Sequence, residues 1–464
     1  MTTTGSADWQ ALKAAIDGTL VLADSPEYER VRKPRMVRFQ ELRPQAIVLC
    51  ASADDVAATI AFARRHGLEK AIRSGGHSVA GRSSTEGLVI DVSPMGEVSL
   101  TGGVATVGAG VRLGALEDAM APFGRTIPSG SSHTVGIAGL TLGGGLGILG
   151  RTHGLTSDHL LGARVVLGDG RVVDCDEHHD SDLFWALRGA GGGNFGVVTS
   201  FVFRMVPVAE TTVFHLVWAS RHAVDLIAAW QAWAPDAPDA LDATLRLNLR
   251  ANREEPLICD VFGAVVAPDV DAAELLDELV ARANAEPASE SFNRLPYHKA
   301  KRFLDDLPPI DAASSGAPAM SEHLFTKSEF FRRALPVETI TVLVENLLGG
   351  FTGHGSREIA FLPWGGAYNR VAVDATAFAH RNERFLVQHL ASIDATAARA
   401  NADSSASTWV QSSWALLHPW GSGGVYPNFP DPELDDPRAY YGANYGRLKR
   451  IKTTYDPYGV FPFN

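Results

Sequence analysis

The apolar residues between positions 46 and 92 change their spacing in a way that predicts a compact β-α-β-loop-β unit. AIVLC (46–50) is a short apolar run, as expected for a buried strand. Ser52 stands three residues before Asp55, the spacing of a helix-capping box, and apolar residues then recur at helical intervals. Strands at 69–73 and 88–92 are predicted to flank a glycine-rich loop.

Short predicted elements continue to about residue 207. Asp169 followed by Gly170, between two valine-containing runs, is typical of a tight hairpin. Ser181 is expected to cap a helix that continues through Leu187. The other elements predicted here are a strand near 104–108, a helix over 113–120 and a strand over 201–205.

A change of pattern near residue 208 predicts a second unit with longer elements. Leucines within 244–250 alternate with Arg246, Asn248 and Arg250, the pattern of an antiparallel strand with one polar side. That polar side fits either an exposed sheet face or a face that receives a hydroxylated or anionic substrate. The other elements predicted beyond residue 208 are helices at 222–233, 270–284, 336–348 and 436–457, and a surface loop at 314–318.

Composition and charge narrow the class of protein. The 464 residues carry a formal net charge of −12 with scattered Lys and Arg, which argues against nucleic acid as a partner. No apolar run is long enough for a membrane span, and MTTTGSADWQ lacks the features of a signal peptide, so a cytoplasmic protein is expected. The three cysteines lack metal-ligand spacing, and CDEHHDSD (175–182) is interpreted as a solvated loop, so no metal site is expected.

Glycine is the unusual residue, at 45 of 464 positions, and it clusters. Two GxGxxG strings occur, at 145–150 and 191–196, but neither has the strand–glycine–long helix context of a Rossmann fingerprint. More informative are three glycine loops at strand ends, where exposed backbone N–H groups form anion-binding nests. These loops are RSGGHSVAG (73–81), PSGSSHTVGIAGLTLGGGLG (128–147) and RGAGGGNFGVVT (188–199).

The first loop resembles the histidine-bearing FAD loop of the vanillyl-alcohol-oxidase flavoprotein family. Nearly the whole chain resembles the berberine-bridge-enzyme-like branch of that family, which includes bacterial 6-hydroxynicotine oxidases and sugar or oligosaccharide oxidases. Motifs that carry the resemblance are IDVSPM (90–95), LFWALRGAGGGNFGVVT (183–199), PWGGAYNRV (363–371), AFAHRNERFLVQ (377–388), YPNF (426–429) and YYGANYGRLKRIKTTYDP (440–457).

The resemblance implies an α+β fold with a PCMH-type FAD-binding unit of two α/β subdomains. The expected division is an FAD-binding domain at 1–207, a substrate domain with a helix-covered antiparallel sheet at 208–420, and a C-terminal segment at 421–464 that returns to the FAD domain. It also implies FAD bonded through His77 to the flavin 8α-methyl group. Bicovalent relatives carry a second bonding cysteine where this chain has Ser132, so a single bond is expected.

The resemblance assigns site residues by position. Tyr426 is expected to be the catalytic base, with Gln388 facing the same cavity, Glu358 as an alternative base and Val135 at the position that controls access of oxygen. Leu140 replaces a polar residue common near the flavin. Residues expected to contact FAD are Arg73, Ser74, Gly75, Gly76, His77, Ser78, Gly81, Ser132, His133, Thr134, Gly136, Gly139, Leu140, Gly143, Gly196, Val197, Val198, Tyr441 and Asn444.

The expected activity is removal of a hydride from a C–H group that bears a hydroxyl or amine, followed by reoxidation with molecular oxygen to hydrogen peroxide. Three alternatives stay open: a dehydrogenase with another electron acceptor, a cyclising or desaturating enzyme of secondary metabolism, and a flavin-carrying binding protein without turnover. The substrate is expected to be a small molecule, with sugars, amines, aromatic alcohols and polyketides all open. A monomer and a homodimer are both compatible with the sequence.

Overall fold

The computed structural model describes residues 7–250, 257–307, 322–351, 355–394 and 402–463. The surface loop predicted at 314–318 therefore lies outside the described residues. The strands form a four-stranded, a five-stranded, a two-stranded and a seven-stranded sheet.

The first sheet is mixed, in the order β1-β2-β4-β3, with β1 antiparallel to β2 and the other pairs parallel. A capping box between Ser52 and Asp55 begins its long helix, and Gly67 follows that helix in the left-handed conformation, with φ of 63°. The predicted β-α-β-loop-β unit is thus confirmed. Its elements are α1 (Trp9–Ala14), β1 (Thr19–Leu22), α2 (Tyr28–Val31), β2 (Ala46–Leu49), α3 (Ala53–Arg65), β3 (Lys70–Arg73) and β4 (Leu88–Asp91).

The second sheet is antiparallel throughout, in the order β5-β6-β10-β8-β9. The predicted hairpin at Asp169 and Gly170 is confirmed, since it joins β8 to β9 and Gly170 has φ of 90°. The elements of this region are β5 (Val98–Thr101), β6 (Val104–Gly108), α4 (Leu113–Met120), β7 (Arg125–Thr126), α5 (Ile137–Leu142), α6 (Gly150–His153), β8 (Leu160–Leu167), β9 (Val172–Asp176), α7 (Ser181–Leu187), β10 (Gly196–Arg204) and β11 (Val206–Pro207).

This region contains helix α7 and the two GxGxxG strings. The helix through Leu187 is confirmed, but its predicted cap is wrong: Ser181 is the first helical residue, and Asp180 occupies the cap position with φ of 45°. The GxGxxG strings do not begin long helices, because the first reaches the four-residue α6 and the second enters β10. β7 pairs with β11 at the end of this region.

The third large sheet is antiparallel, in the order β15-β12-β14-β13-β17-β18-β16. The three helices predicted at 222–233, 270–284 and 336–348 are confirmed as α8, α9 and α11. Its elements are β12 (Glu210–Ala219), α8 (Ala223–Trp233), β13 (Leu241–Arg250), β14 (Leu257–Val265), α9 (Ala272–Ala283), β15 (Ser289–Pro296), α10 (Tyr297–Asp305), β16 (Glu322–Phe331), α11 (Val337–Leu348), β17 (Ser356–Pro363), α12 (Ala367–Arg370), β18 (Phe385–Asp394) and α13 (Ala402–Leu417).

The two faces of the seven-stranded sheet differ in chemistry. Leucines of β13 point into a core shared with α8, α9, α11 and α13. The alternate residues Arg246 and Asn248 lie on the other face, where they are 8% and 2% exposed. The predicted polar side of this strand is therefore confirmed, and it is buried within the protein.

The C-terminal segment returns to the first two sheets, where Tyr440, Tyr441, Leu448 and Ile451 enter their common core. The single helix predicted at 436–457 is wrong in one respect. It is divided into α14 (Arg438–Tyr441) and α15 (Tyr445–Tyr455), because Gly442 adopts φ of 49° between them. Within the described ranges, no helix is long and apolar enough to cross a bilayer.

Candidate functional site

The three glycine loops form one assembly at the ends of the strands. A methyl group on Gly75 in the first loop would lie only 2.3 Å from the backbone nitrogen of Gly136 in the second. The third loop is tied to the second because the amides of Gly189 and Gly191 donate to the carbonyl of Leu142, at 3.1 and 2.7 Å. The absence of side chains thus lets separate segments share one surface.

Arg73 and Ser74 anchor the first loop to the protein. The buried guanidinium of Arg73 pairs with Asp91 at 2.8 Å and donates to the carbonyls of Val31 and Arg32, at 2.9 Å each. The hydroxyl of Ser74 donates to the carbonyl of Ala109 at 2.7 Å. These polar atoms are used in holding the loop, and contacts of either residue with FAD stay predictions.

The tip of the loop has free backbone donors. Among the described residues, no acceptor lies within hydrogen-bond distance of the amides of Gly75, Gly76 and His77. Gly76 has φ of 74°, which a side chain would disfavour. The loop closes in a turn in which the amide of Gly81 donates to the carbonyl of Ser78 at 3.0 Å.

A cavity of about 410 Å³ lies beside these amides. The charged side chains that line the cavity are cations, apart from Asp91, which is paired with Arg73. Free amides and cations together suit a ligand with a strongly anionic group, such as the pyrophosphate of FAD. The cations of the wall are Arg30, Lys33, Arg35, Arg73 and Arg112.

His77, in the first loop, lies half-buried against the second loop. Its Nε2 is 3.0 Å from the hydroxyl oxygen of Thr134. Burial lowers the pKa of His77 to about 4, with smaller contributions from the positive charges of Arg35 and Arg112. At neutral pH the imidazole is therefore uncharged.

Helix α10 holds the second loop against the seven-stranded sheet. Asp305 at the end of α10 accepts from the backbone amide of His133 at 3.2 Å and pairs with its exposed ring. Lys301, one turn earlier, is buried against Glu117 and donates to the hydroxyl of Ser129 at 3.0 Å. Ser132 and Val135 lie half-buried in the same loop.

Helix α5 continues the second loop. Gly136 is its N-cap, and Gly143 ends it, with Gly139 and Leu140 between them. Inside this region the hydroxyl oxygens of Thr141 and Ser157 are buried and have no partner among the described residues. Buried hydroxyls normally find a partner, so these two have unused hydrogen-bonding capacity.

Tyr426, in the C-terminal segment, contacts the second loop. Its buried hydroxyl oxygen accepts from the amides of Gly145 and Leu146, at 3.0 and 3.1 Å, and from Nδ2 of Asn428 at 3.1 Å. Burial raises the pKa of Tyr426 above the ordinary value of a phenol, and the hydrogen bonds from Asn428, Leu146 and Gly145 counteract part of that rise.

The buried polar face of the seven-stranded sheet lies near Tyr426. The ring of Tyr426 packs in one cluster with Leu386, which stands two residues before Gln388 on the same face of β18. Gln388 donates to the hydroxyl of Thr326 at 3.0 Å. Glu358 accepts from Asn248 at 2.8 Å, and burial raises the pKa of its carboxyl.

The remaining predicted cofactor residues lie where the C-terminal segment meets the third loop. The hydroxyl of Tyr441 donates to the carbonyl of Ala190 at 2.8 Å, and Nδ2 of Asn444 donates to the carbonyls of Val373 and Thr376, at 2.8 and 3.1 Å. Gly196, Val197 and Val198 are buried at the start of β10, where they pair with β8.

Family models match both ends of this arrangement. Residues 44–176 match an FAD binding domain, and residues 425–464 match the family described as berberine and berberine like. A Bacillus subtilis protein described as an uncharacterized FAD-linked oxidoreductase, YvdP, is 32% identical over 457 residues, covering 97% of each chain. The chain belongs to the berberine-bridge-enzyme-like family of FAD-linked oxidoreductases.

Other members share most of the chain. Chitooligosaccharide oxidase of Gibberella zeae is 27% identical, covering 90% of this chain and 86% of the relative. The structure of BBE-like 1 from Physcomitrella patens superposes with a TM-score of 0.87 at 25% identity, covering 100% and 98% of the two chains. Berberine bridge enzyme from Eschscholzia californica, at 24% identity and a TM-score of 0.85, covers 98% of this chain and 97% of its own.

Family membership confirms the predicted fold class, α+β with a PCMH-type FAD-binding unit and a helix-covered antiparallel sheet, and it confirms FAD as the cofactor and oxidoreduction as the activity.

Two contacts of the candidate site were not predicted from the sequence. Asn428 stands inside the YPNF motif, where its proximity to Tyr426 was a usable signal. Asp305 lies 172 residues from His133, and nothing local indicated their pairing.

The cysteines and histidines outside the glycine loops occupy different surroundings in this family member. Cys50, Cys175 and Cys259 are buried, and burial raises the pKa of the Cys50 and Cys175 thiols to about 12. The side chains of His178 and His179 are exposed. Among the described residues, no group of three or more His, Cys, Asp or Glu is arranged to hold a metal ion.

The close contact between the first two glycine loops can be tested by adding a methyl group at Gly136. In Gly136→Ala the new methyl group would lie 2.3 Å from the hydroxyl oxygen of Ser74 and 2.5 Å from the nitrogen of Gly75. We expect a loss of about 1–3 kcal/mol in the free energy of unfolding and a lower FAD content. Denaturant unfolding and the ratio of flavin to protein absorbance measure the two effects.

Gly446→Ala is the matched control for this substitution. Gly446 lies in α15, and the nearest atom to an added methyl group is a terminal nitrogen of Arg450 at 4.0 Å. This variant should be at least as stable as the wild-type protein, because Gly446 lies in the first turn of the helix and alanine favours helical backbone. Equal stability and flavin content in the two variants would contradict the proposed loop contact.

Proposed function

We propose that this protein is an oxidase with covalently bound FAD, which removes a hydride from a substrate carbon that bears a hydroxyl or amine group. When bound, FAD supplies the hydride acceptor and transfers the electrons to dioxygen, which yields hydrogen peroxide. The observation that carries the proposal is the buried Tyr426 oxygen, which accepts three N–H hydrogen bonds beside a buried polar sheet face. Chitooligosaccharide oxidase, among the relatives, is named for an activity of this type.

Tyr426 is the proposed base that accepts the proton from the heteroatom of the substrate. A base acts only when deprotonated, and burial disfavours the phenolate. The surrounding N–H donors favour the phenolate. Because the pKa nevertheless stays above neutral pH, the fraction of phenolate should increase as the pH rises. Gln388 is proposed to orient the substrate from the sheet face, and the buried Glu358 is the alternative base.

His77 is the proposed attachment point of FAD. Its low pKa keeps the imidazole unprotonated at neutral pH, so a ring nitrogen has a lone pair available to form the bond. The amides of Gly75 and Gly76 and the cations Arg35 and Arg112 would hold the pyrophosphate nearby.

A single bond is proposed because the second loop offers no thiol. Ser132 occupies the position at which bicovalent relatives carry a cysteine, and a hydroxyl does not replace a thiolate as a nucleophile at neutral pH. Each of the cysteines of the chain, Cys50, Cys175 and Cys259, is buried elsewhere in the fold.

Removal of the Tyr426 hydroxyl tests the base. Tyr426→Phe should slow anaerobic flavin reduction by about 10²–10⁴-fold, measured with whichever compound bleaches the flavin fastest in a panel of sugars, amines and aromatic alcohols. In the wild-type protein the rate should rise about tenfold per pH unit between about pH 7 and 9, because the pKa of the base lies above this range.

Tyr440→Phe is the matched control, because within the described part of the chain its buried hydroxyl bonds only to the backbone of Asp431. This variant should keep the wild-type rate and pH profile. A flat wild-type profile, together with full activity of Tyr426→Phe, would assign the base to another group, and Glu358→Gln would then be measured.

Acid precipitation tests the covalent bond. The wild-type pellet should stay yellow and should yield a flavin-bearing peptide that contains His77, whereas His77→Ala should release its flavin into the supernatant. His179→Ala is the control, because that side chain is exposed and pairs with Asp176. Release of flavin from the wild-type protein, or a flavin found on a peptide with Ser132, would refute the proposed single attachment.

Reaction with air distinguishes an oxidase from a dehydrogenase. Substrate-bleached wild-type protein should recover its colour in air and form one hydrogen peroxide per flavin, and Val135→Leu should slow this recovery because a larger side chain narrows the path of dioxygen. Val173→Leu, the same change at another half-buried position against the same core, should not. Bleached protein that persists in air but recovers with a quinone dye would identify a dehydrogenase.

A further inference from the structure

All three groups around the Tyr426 oxygen are hydrogen-bond donors. Two are backbone N–H groups of Gly145 and Leu146, and the third is the side-chain amide of Asn428. Among the described residues, none accepts a hydrogen bond from this hydroxyl. A neutral phenol has one proton to donate, so this environment matches the charged form of the side chain better than the neutral form.

The orientation of Asn428 is fixed by a second contact. Its Nδ2 also donates to the carbonyl oxygen of Leu140 at 2.9 Å. A carbonyl only accepts, so the NH₂ end of the amide must face Leu140 and Tyr426, and the amide oxygen cannot take its place. The backbone at Gly145 is restrained because the amide of Thr156 donates to its carbonyl at 2.9 Å. A side chain does not fit there, since Gly145 adopts φ of 86° and an added methyl group would lie 2.2 Å from Oγ1 of Thr156.

The side chains that pack directly around the Tyr426 ring carry no charge. Phe330, Phe378, Leu386 and Phe429 are apolar members of the cluster around the ring. Tyr368 and His380 are neutral at neutral pH, because burial raises the pKa of Tyr368 well above its ordinary value and lowers that of His380, which stacks on Phe330, to about 4. The charged group one ring further out is Arg381, which lies over the Phe378 ring at 5.0 Å and is paired with Asp158 at 2.6 Å. In this dry surrounding each N–H donor exerts a large effect on a developing negative charge.

We propose that Asn428 is a positioning residue which, with the amides of Gly145 and Leu146, forms an anion site for the phenolate of Tyr426. The inference rests on the proposed function, in which Tyr426 is the base, and adds the group that stabilises its charged form. Asn428 acts through Tyr426 and through the carbonyl of Leu140, so it links the base to the second glycine loop.

A direct titration of residue 426 tests this role without a substrate. The FAD-loaded enzyme is prepared with 3-fluorotyrosine at position 426, and its ¹⁹F NMR shift is followed with pH. The fluorinated phenol is more acidic than tyrosine, which lowers the pH at which the transition is observed. Asn428→Leu should raise this pKa by about 1–2 units, the effect of one lost hydrogen bond to a charged group.

Two variants separate the donor from its volume. Asn428→Asp keeps the shape but replaces the N–H donor by a negative charge, so it should raise the pKa at least as much as Asn428→Leu. Asn369→Leu, which removes an amide that donates to the carbonyl of Glu383 at 2.7 Å, is the control and should leave the transition in place. Unfolding temperature and flavin content are measured for each protein to identify variants with altered folds.

The outcomes are distinct from those of the base assignment. An unchanged transition in both Asn428 variants, with normal flavin content and unfolding temperature, would overturn the anion site. If Asn428→Leu loses its fold, the Asn428→Asp result decides. Full activity of Tyr426→Phe alongside the predicted ¹⁹F shift would instead refute Tyr426 as the base while leaving the anion site intact.

Discussion

The backbones of the first and second glycine loops touch, and the rest of the site is built around that contact. Gly75 and Gly136 approach so closely that a side chain on either would overlap main-chain atoms of the other loop. The first loop is held in this position because the buried pair of Arg73 with Asp91 attaches its first residue to the sheet. The contact therefore places His77 beside Thr134, whichever cofactor chemistry then follows.

Charge at the site differs in sign from charge on the whole molecule. The chain carries a formal net charge of −12, yet the cavity beside the first loop is lined by cations that include Arg35 and Arg112. These cations have two effects at once. They favour an anionic ligand, and they contribute to the low pKa that keeps the imidazole of His77 uncharged. A neutral histidine beside an anion-binding cavity is a consequence of that local field.

Local sequence signals predicted most of the elements correctly, because their causes lie within a few residues. The capping box at Ser52 and the hairpin at Gly170 are examples. The failures have longer-range causes. The helix predicted at 436–457 breaks at Gly442, where the chain must redirect Tyr441 toward Ala190 of the third loop, a demand that helical periodicity does not reveal. Burial of Arg246 was equally undecidable from its alternation with leucines, which an exposed sheet face would also show.

The candidate site shows the same limit more strongly. Motifs identified His77 and Tyr426, but the groups that set their properties come from distant parts of the chain. The Tyr426 hydroxyl bonds to Gly145, 281 residues away, and Asn428 bonds to the carbonyl of Leu140, 288 residues away. Contacts of such separation carry a large loop-closure cost and must be stabilised by the packing of both units. Neither the glycine loops nor the C-terminal segment alone can hold the Tyr426 oxygen among three donors, so the chemistry of this residue depends on the whole fold.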